Sequence, residues 1–484
     1  MVDMTTTNNR PVISVKARPD PGPSDPSRAI TVALAVLGVF VTYVPITGVS
    51  VALTRIGAAT HANTAALQWI SDGYVIPMAA AVLSGGLFGD RYGRRRIYLI
   101  GMALTVVGAG VAALSGLTAD TGALAMIWTG QAISGLGAGL LLPTTLALIA
   151  HVVPDPRARG KYIGVWATGL LLGLCVGPIV SGAIIDRVAY GWIFVPVIAL
   201  AGLAGIAAAA WLPESTAPGE RSLDIGGQLF ATLAIAGLIL GVIEGGARGW
   251  TDPVTLTGLI VGALALIGFL LTEARSTSPL IDLGLFGSPA FSAAGFSALL
   301  ALFSVVGTTF LISVFLGEVQ HLDALQIGLR LLFVTGVAVV VNPVIGATMH
   351  RIRPAYLLTA GLAVGAVGVF TLTGVDEHTT ALDLGWRLAI FGLSLAMMLT
   401  TVSVTAVNAV PWRKAGMAAA TNTALRQFGG ALGPAVLGAV FVSRLTSGAS
   451  PVSALHTSVA VNGFLLVLGA LICLVTTHIG RTSD

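Results

Sequence analysis

The chain is short of charge. Asp, Glu, Lys and Arg make up 10% of its 484 residues, and Lys16, Lys161 and Lys414 are the only lysines. Soluble domains carry roughly 25% charged residues, so a water-soluble fold is excluded. No lysine sits in a Gly-Lys-Ser/Thr setting, which excludes a Walker loop and direct ATP-driven work. The two cysteines, Cys175 and Cys473, lie inside apolar runs, against both a disulfide framework and a zinc site. The seven histidines lack metal-ligand spacing, and no basic patch with interleaved aromatics points to nucleic acid. Gly108-Ala-Gly110-Val-Ala-Ala113 spells a dinucleotide fingerprint, but no strand precedes it. Neither an enzyme, a cofactor nor a metal is expected.

What the chain has is apolar length. Hydrophobic residues make up 55% of it and glycine contributes 61 positions, with a mean hydropathy of +0.91. A bilayer span needs about 20 apolar residues, and fourteen continuous runs meet that need, from 30–55 through 454–478. The runs do not alternate as barrel strands do, so the expected fold is all-α, an integral membrane protein with 14 transmembrane helices. Glycine suits it, because small residues let helices approach closely in lipid. Residues 1–28 are polar and read as a disordered tail, not a signal peptide. With the N-terminus inside, eighteen Lys and Arg fall in inner segments and four (Arg55, Arg187, Arg248 and Arg444) in outer ones. By the positive-inside rule this predicts an inner or plasma membrane protein with both termini cytoplasmic.

Two stretches recur at a nearly constant offset. Gly86-Leu-Phe-Gly-Asp90-Arg91…Gly101 returns as Gly346-Ala-Thr-Met-His350-Arg351…Gly361, and Gly173-x-x-x-Gly177-Pro178-x-x-x-Gly182 as Gly429-x-x-x-Gly433-Pro434-x-x-x-Gly438. Both equate span n with span n+8. The expected plan is therefore 6+2+6 and pseudo-symmetric: a bundle over 29–212, a linker over 213–281 carrying inserted spans seven and eight, and a second bundle over 282–480. Repeated halves with a site between them are the plan of secondary transporters.

These residues resemble the major facilitator superfamily, in particular its fourteen-helix drug:proton antiporter branch. Gly86 to Arg96, with Asp90, Arg91, Gly93, Arg94 and Arg95, is similar to the superfamily's signature loop between its second and third helices. Gly164, Gly173, Gly177, Pro178 and Gly182 resemble the antiporter motif of helix five, and Trp69-Ile-Ser-Asp72-Gly-Tyr74 the start of helix two. Asn422 to Gly430, with Arg426 and Gln427, resembles the second half. The chain departs from the branch twice. Pro45 stands where an acid of helix one is common, and Gln131 where helix four commonly has an Arg. Both missing groups are usually assigned to proton coupling.

Each motif admits two physical roles. Asp90, flanked by arginines, suits either a gate latch that pairs one turn on or caps a neighbouring helix, or a plain cytoplasmic anchor. The glycines of span five, with Pro178 removing a backbone donor, suit either a seal and hinge or simple packing. Asp72 lies six residues, about 9 Å, into the second span. It is a candidate for proton or cation-substrate binding, or else a headgroup-zone acid beside Trp69 and Tyr74. Arg426 lies about 17 Å deep by the same rise and needs an acceptor, from the protein or from a substrate. Glu244, Glu318, Asp323 and Arg387 fall near outer helix ends. The expectation is a monomer embedded in the lipid bilayer that exports hydrophobic or amphipathic small molecules by alternating access in exchange for protons. A facilitator, an exporter without conventional proton coupling, and a non-transporting sensor are the alternatives.

Overall fold

The computed structural model describes residues 25–118, 120–153, 156–216, 224–276, 279–348, 352–410 and 415–479. Residues 1–24 of the tail, and Arg221, His350, Arg351, Arg413, Lys414 and Arg481 of the charge pattern and repeat, lie outside them. The described residues form α1 (Asp25–Gly48), α2 (Leu53–Thr60), α3 (Thr64–Tyr92), α4 (Arg94–Leu114), α5 (Asp120–Val152), α6 (Pro156–Ile185), α7 (Val195–Trp211), α8 (Ile225–Arg248), α9 (Pro253–Arg275), α10 (Pro289–Glu318), α11 (Ala324–Thr348), α12 (Pro354–Thr371), α13 (Ala381–Asn408), α14 (Ala415–Thr446) and α15 (Pro451–Ile479). Joined by the single turn Ser50–Ala52, α1 and α2 make one span; counting α3 through its bend between Val82 and Ser84, the spans number fourteen. Helix starts follow local chemistry. Asp252 and Ser288 each accept a first-turn N–H just before Pro253 and Pro289, and proline at the first helical position has no donor to lose.

The packing repeats. In the first six spans α3 packs on α5, α4 on α5 and α7, and α1 on α5, α6 and α7. In the last six α11 packs on α13, α12 on α13 and α15, and α10 on α13, α14 and α15. Each pair recurs eight spans on. The two sets meet along two seams, α6 with α11 and α3 with α14, which are themselves equivalent under the same offset. The centre belongs to α10, with 94% of its most apolar stretch buried, against 28% for α8 and for α9. Exposed tryptophans such as Trp192, Trp211 and Trp250 stand at span ends, where amphipathic rings favour the membrane interface.

The inserted pair has a defined place. α8 lies along the α3–α14 seam and touches both helices. Gln228 accepts from the Ser84 hydroxyl at 2.5 Å and donates to the Ala80 carbonyl at 2.6 Å. Toward the other end of α8, Gly246 meets the backbone of Ala439 so closely that no Cβ would fit.

Candidate transport site and gates

The end of the bundle carrying Arg28, the Arg91–Arg96 cluster and Arg353 is termed the basic end, and that of His61, Arg187 and Gly448 the far end. Near the basic end, α1 and α6 of the first bundle border an open chamber of about 840 Å³. Val32, Val36, Leu37, Phe40, Val165 and Leu172 line it; Arg28 and Tyr162 stand on its rim.

The far end is closed by contacts between the first and last six spans. Gly182 of α6 sits against the backbone of Ala324 and Leu325, Gly328 against Pro178, and Gly317 against Thr54, all too near for a side chain at the glycine. Asp186 seals this edge. Its carboxylate accepts the N–H groups of Ala324 at 3.2 Å and Leu325 at 2.9 Å, the unsatisfied donors that open α11, where the helix dipole also favours negative charge. Lower on the same seam, Cys175 of α6 lies beside Thr335 of α11.

This separates the roles within the span-five motif. Gly173 and Gly177 face α1 inside their own bundle, against the carbonyls of Phe40 and Val44, whereas Gly182 faces α11 across the seam. The repeat does the same. Gly429 and Gly433 meet the carbonyls of Leu299 and Phe303 on α10, and Gly438 meets Gln68 on α3. Gly164 has open space around it and serves neither role. Pro178 cannot donate to the carbonyl of Leu174, and the Thr47 hydroxyl of α1 supplies that bond at 2.8 Å. Thr47→Val keeps the volume and orphans the carbonyl; it is expected to cost about 1 kcal/mol, read as a lower midpoint of thermal unfolding in detergent.

The signature loop holds together within the first six spans. Asp90, 42% exposed at its side chain, pairs with Arg94 at 2.8 Å, and Arg94 also donates to the Ala147 carbonyl of α5. Gly93, at φ +106°, turns the chain from α3 into α4 and presses on the Glu214 carboxylate. Glu214 caps α4 by accepting the Arg95 N–H at 3.1 Å and lies 3.7 Å from the Arg96 guanidinium. Arg95 donates to the Ala209 carbonyl of α7. Arg91 is exposed and stacks over Tyr92, and Gly86 packs against Pro143 of α5. In this conformation none of these contacts reaches the last six spans.

Between the two ends lie the buried polar groups. Asp72 is fully buried, and neither of its carboxylate oxygens has a hydrogen-bond partner. Gln131, at the position of the branch's arginine, donates to the Ile70 carbonyl at 3.2 Å and so leaves the acid alone. Tyr74 is buried and donates to the Thr42 carbonyl at 2.6 Å, tying α3 to α1; Trp69 is half-buried on the core. Arg426, 4% exposed, meets the Tyr43 hydroxyl and forms no ion pair among the described residues; its Nε has no partner. Tyr43 also donates to Gln427, whose amide points at the Met78 sulfur. Charges nearer the span ends find local partners, as in Glu244–Arg248 at 2.6 Å and Arg387–Asp383 at 3.1 Å.

Fourteen spans, repeated packing and a cavity between helices place the chain among transporters, and comparison with known proteins decides the family. A profile of the Major Facilitator Superfamily matches residues 35–434. The chain belongs to this superfamily. It is a multi-pass membrane transporter of small molecules and not an enzyme. Among curated relatives, it is 30% identical to "Multidrug resistance protein Stp" of Mycobacterium tuberculosis, across 88% of this chain and 78% of that protein. It is also 30% identical to "Tetracenomycin C resistance and export protein" of Streptomyces glaucescens (86% and 76%) and to "Methylenomycin A resistance protein" of Bacillus subtilis (85% and 87%). A crystal structure of a POT family transporter in complex with 5-aminolevulinic acid shares the fold, with a TM-score of 0.68 at 14% identity over 92% of this chain and 95% of that one.

Three side chains that tie distant elements of this superfamily member together were not singled out from the sequence: Asp186, Glu214 and Gln228. Their partners lie 138, 119 and 144 residues away. The one local hint was an acid a few residues past Gly182.

Proposed function

We propose that the chain exports hydrophobic or amphipathic small molecules by alternating access, driven by proton antiport. Residues 29–212 and 282–480 rock as units, and 213–281 carries the inserted pair between them. One observation carries the reading: an apolar chamber near the basic end, coupled with a far end sealed across the two bundles. The excess of arginine at the basic end supports a cytoplasmic orientation for it and for both termini, so the chamber faces the side from which an exporter loads. An apolar chamber with few fixed charges selects by shape and contact area. The resistance and export named for the relatives supports the same direction.

Asp72 is the proposed proton carrier. It sits beyond the chamber without a partner, and an isolated ionised carboxylate is costly in such a place. Its proton is therefore held until the far end opens and water reaches it. Trp69 and Tyr74 shape the wall around it. Asp90 with Arg94 is the latch of the opposite state, free here because the basic end is open, and Asp186 is its counterpart at the far end.

Expression in an efflux-deficient bacterial host, screened against a panel of toxic compounds, tests the reading. Resistance is expected to rise for amphipathic compounds and to vanish with a protonophore. A second reading, an exporter or facilitator without proton coupling, is favoured by Gln131 bonding to Ile70 in place of an arginine on the acid. It predicts resistance, or downhill movement, that the protonophore leaves intact. No resistance, and no movement of any panel compound in vesicles, overturns both.

A further inference from the structure

We propose that the substrates this site takes are amphipathic weak acids, carrying an ionised or enolic oxygen on an apolar body, with the oxygen received by Arg426. The proposal rests on the export reading and adds the charge class of what is exported.

The argument begins with unfilled polar atoms. On α14, Arg426 Nε, Asn422 Oδ1 and Thr421 Oγ1 are all buried and without partners, and all three residues are at most 4% exposed. Asn422 and Arg426 are four residues apart and so share one face of the helix. Buried polar atoms in native proteins are satisfied with few exceptions, so an unfilled group of this kind points to a missing polar ligand. Its chemistry is specific. A guanidinium donates only, a hydroxyl donates or accepts, and an amide oxygen accepts. An acidic oxygen flanked by a hydroxyl fits the Arg426 donor and the Asn422 acceptor, which share that face.

Position links this ledge to the chamber. Phe40 lines the inner part of the chamber wall, and Tyr43, which meets Arg426, is three residues further along α1, about one turn. Gly173 lies against both the Phe40 carbonyl and the Tyr43 side chain. The apolar body of a substrate would lie along Val36, Leu37 and Phe40, with its head at Arg426. Among the described residues, the chamber lining holds no carboxylate. Asp72 lies six residues beyond Met78 on α3, about 9 Å further toward the far end. A lipophilic cation that reaches the ledge would therefore meet Arg426 before Asp72, and like charges repel strongly where water is scarce.

Everted membrane vesicles carrying the full chain test this with two probe sets of similar size: lipophilic acids (nalidixate, fusidate) and lipophilic cations (tetraphenylphosphonium, ethidium). The wild type is expected to accumulate the acids and not the cations. Arg426→Gln should weaken the apparent affinity for the acids roughly tenfold to hundredfold, as loss of a hydrogen bond to a charged group does, with Arg426→Lys recovering part of it. Tyr43→Phe removes one hydroxyl and keeps the ring; a several-fold loss for acids in that variant guards against a folding defect in Arg426→Gln. Accumulation of the cations but not the acids leaves the export reading standing and overturns this inference. So does uptake of the acids with unchanged affinity in both Arg426→Gln and Tyr43→Phe. Vesicles that move neither set, nor any compound of the resistance panel, overturn the export reading and this inference with it.

Discussion

Asp72→Asn is expected to abolish proton-driven accumulation while leaving substrate exchange in place. A pH difference of about one unit is worth ~1.4 kcal/mol per proton, so a one-for-one antiporter builds about a tenfold concentration ratio from it. Without a titratable group on the path, that ratio falls to unity. Substrate is still expected to equilibrate, because the α6–α11 contacts that close the far end, at Gly182, Pro178 and Asp186, do not involve Asp72. The variant should fold. Asn matches Asp in shape, and replacing an unpartnered buried carboxylate by a neutral group relieves a cost. Measured in proteoliposomes with and without an imposed pH gradient, full gradient-driven accumulation by Asp72→Asn would remove Asp72 as the carrier. Loss of both accumulation and exchange in a folded variant would mean that Asp72 holds substrate instead.

How much of this was legible beforehand depended on the range over which each residue acts. Span number and the repeat were readable because apolar length and the Gly173/Gly429 spacing are local patterns, and local patterns map directly onto helix faces. The repeat even carried the packing: in both copies two glycines face the first helix of their own bundle and the third faces the other bundle. Asp72 and Arg426 stood out because charge within an apolar run is rare. Their isolation did not, since the absence of a partner is a property of the folded neighbourhood. For Tyr74, the sequence suggested a ring at the membrane interface, and the structure places it in the interior as a tie between α3 and α1. Asp186, Glu214 and Gln228 looked like ordinary polar residues near span ends. Their importance comes from partners more than a hundred residues away, and one unaligned sequence holds no trace of such a pairing.

The two seams should respond differently when fixed. If the bundles rock, the α6–α11 seam must part at the far end, so a covalent link across it holds the chain in the conformation seen here. Cys175 already lies beside Thr335, and Thr335→Cys, in a background with Cys473 replaced by Ser, supplies the second thiol. Oxidation is expected to stop transport almost completely and reduction to restore it. The inserted pair gives the contrast. α8 is hydrogen-bonded to α3 through Gln228, Ser84 and Ala80, whereas its Gly246 meets α14 through a close packing contact with the backbone and Cβ of Ala439. A helix bonded on one side and merely packed on the other travels with the side it is bonded to, and a smooth glycine face lets α14 slide past. Linking Ser84→Cys to Gln228→Cys should therefore leave transport close to that of the unlinked protein. If the α6–α11 link leaves transport intact, the seam does not open and rocking about it is wrong. If the α3–α8 link stops transport, α8 moves against both bundles and its place is that of a gate and not a passenger.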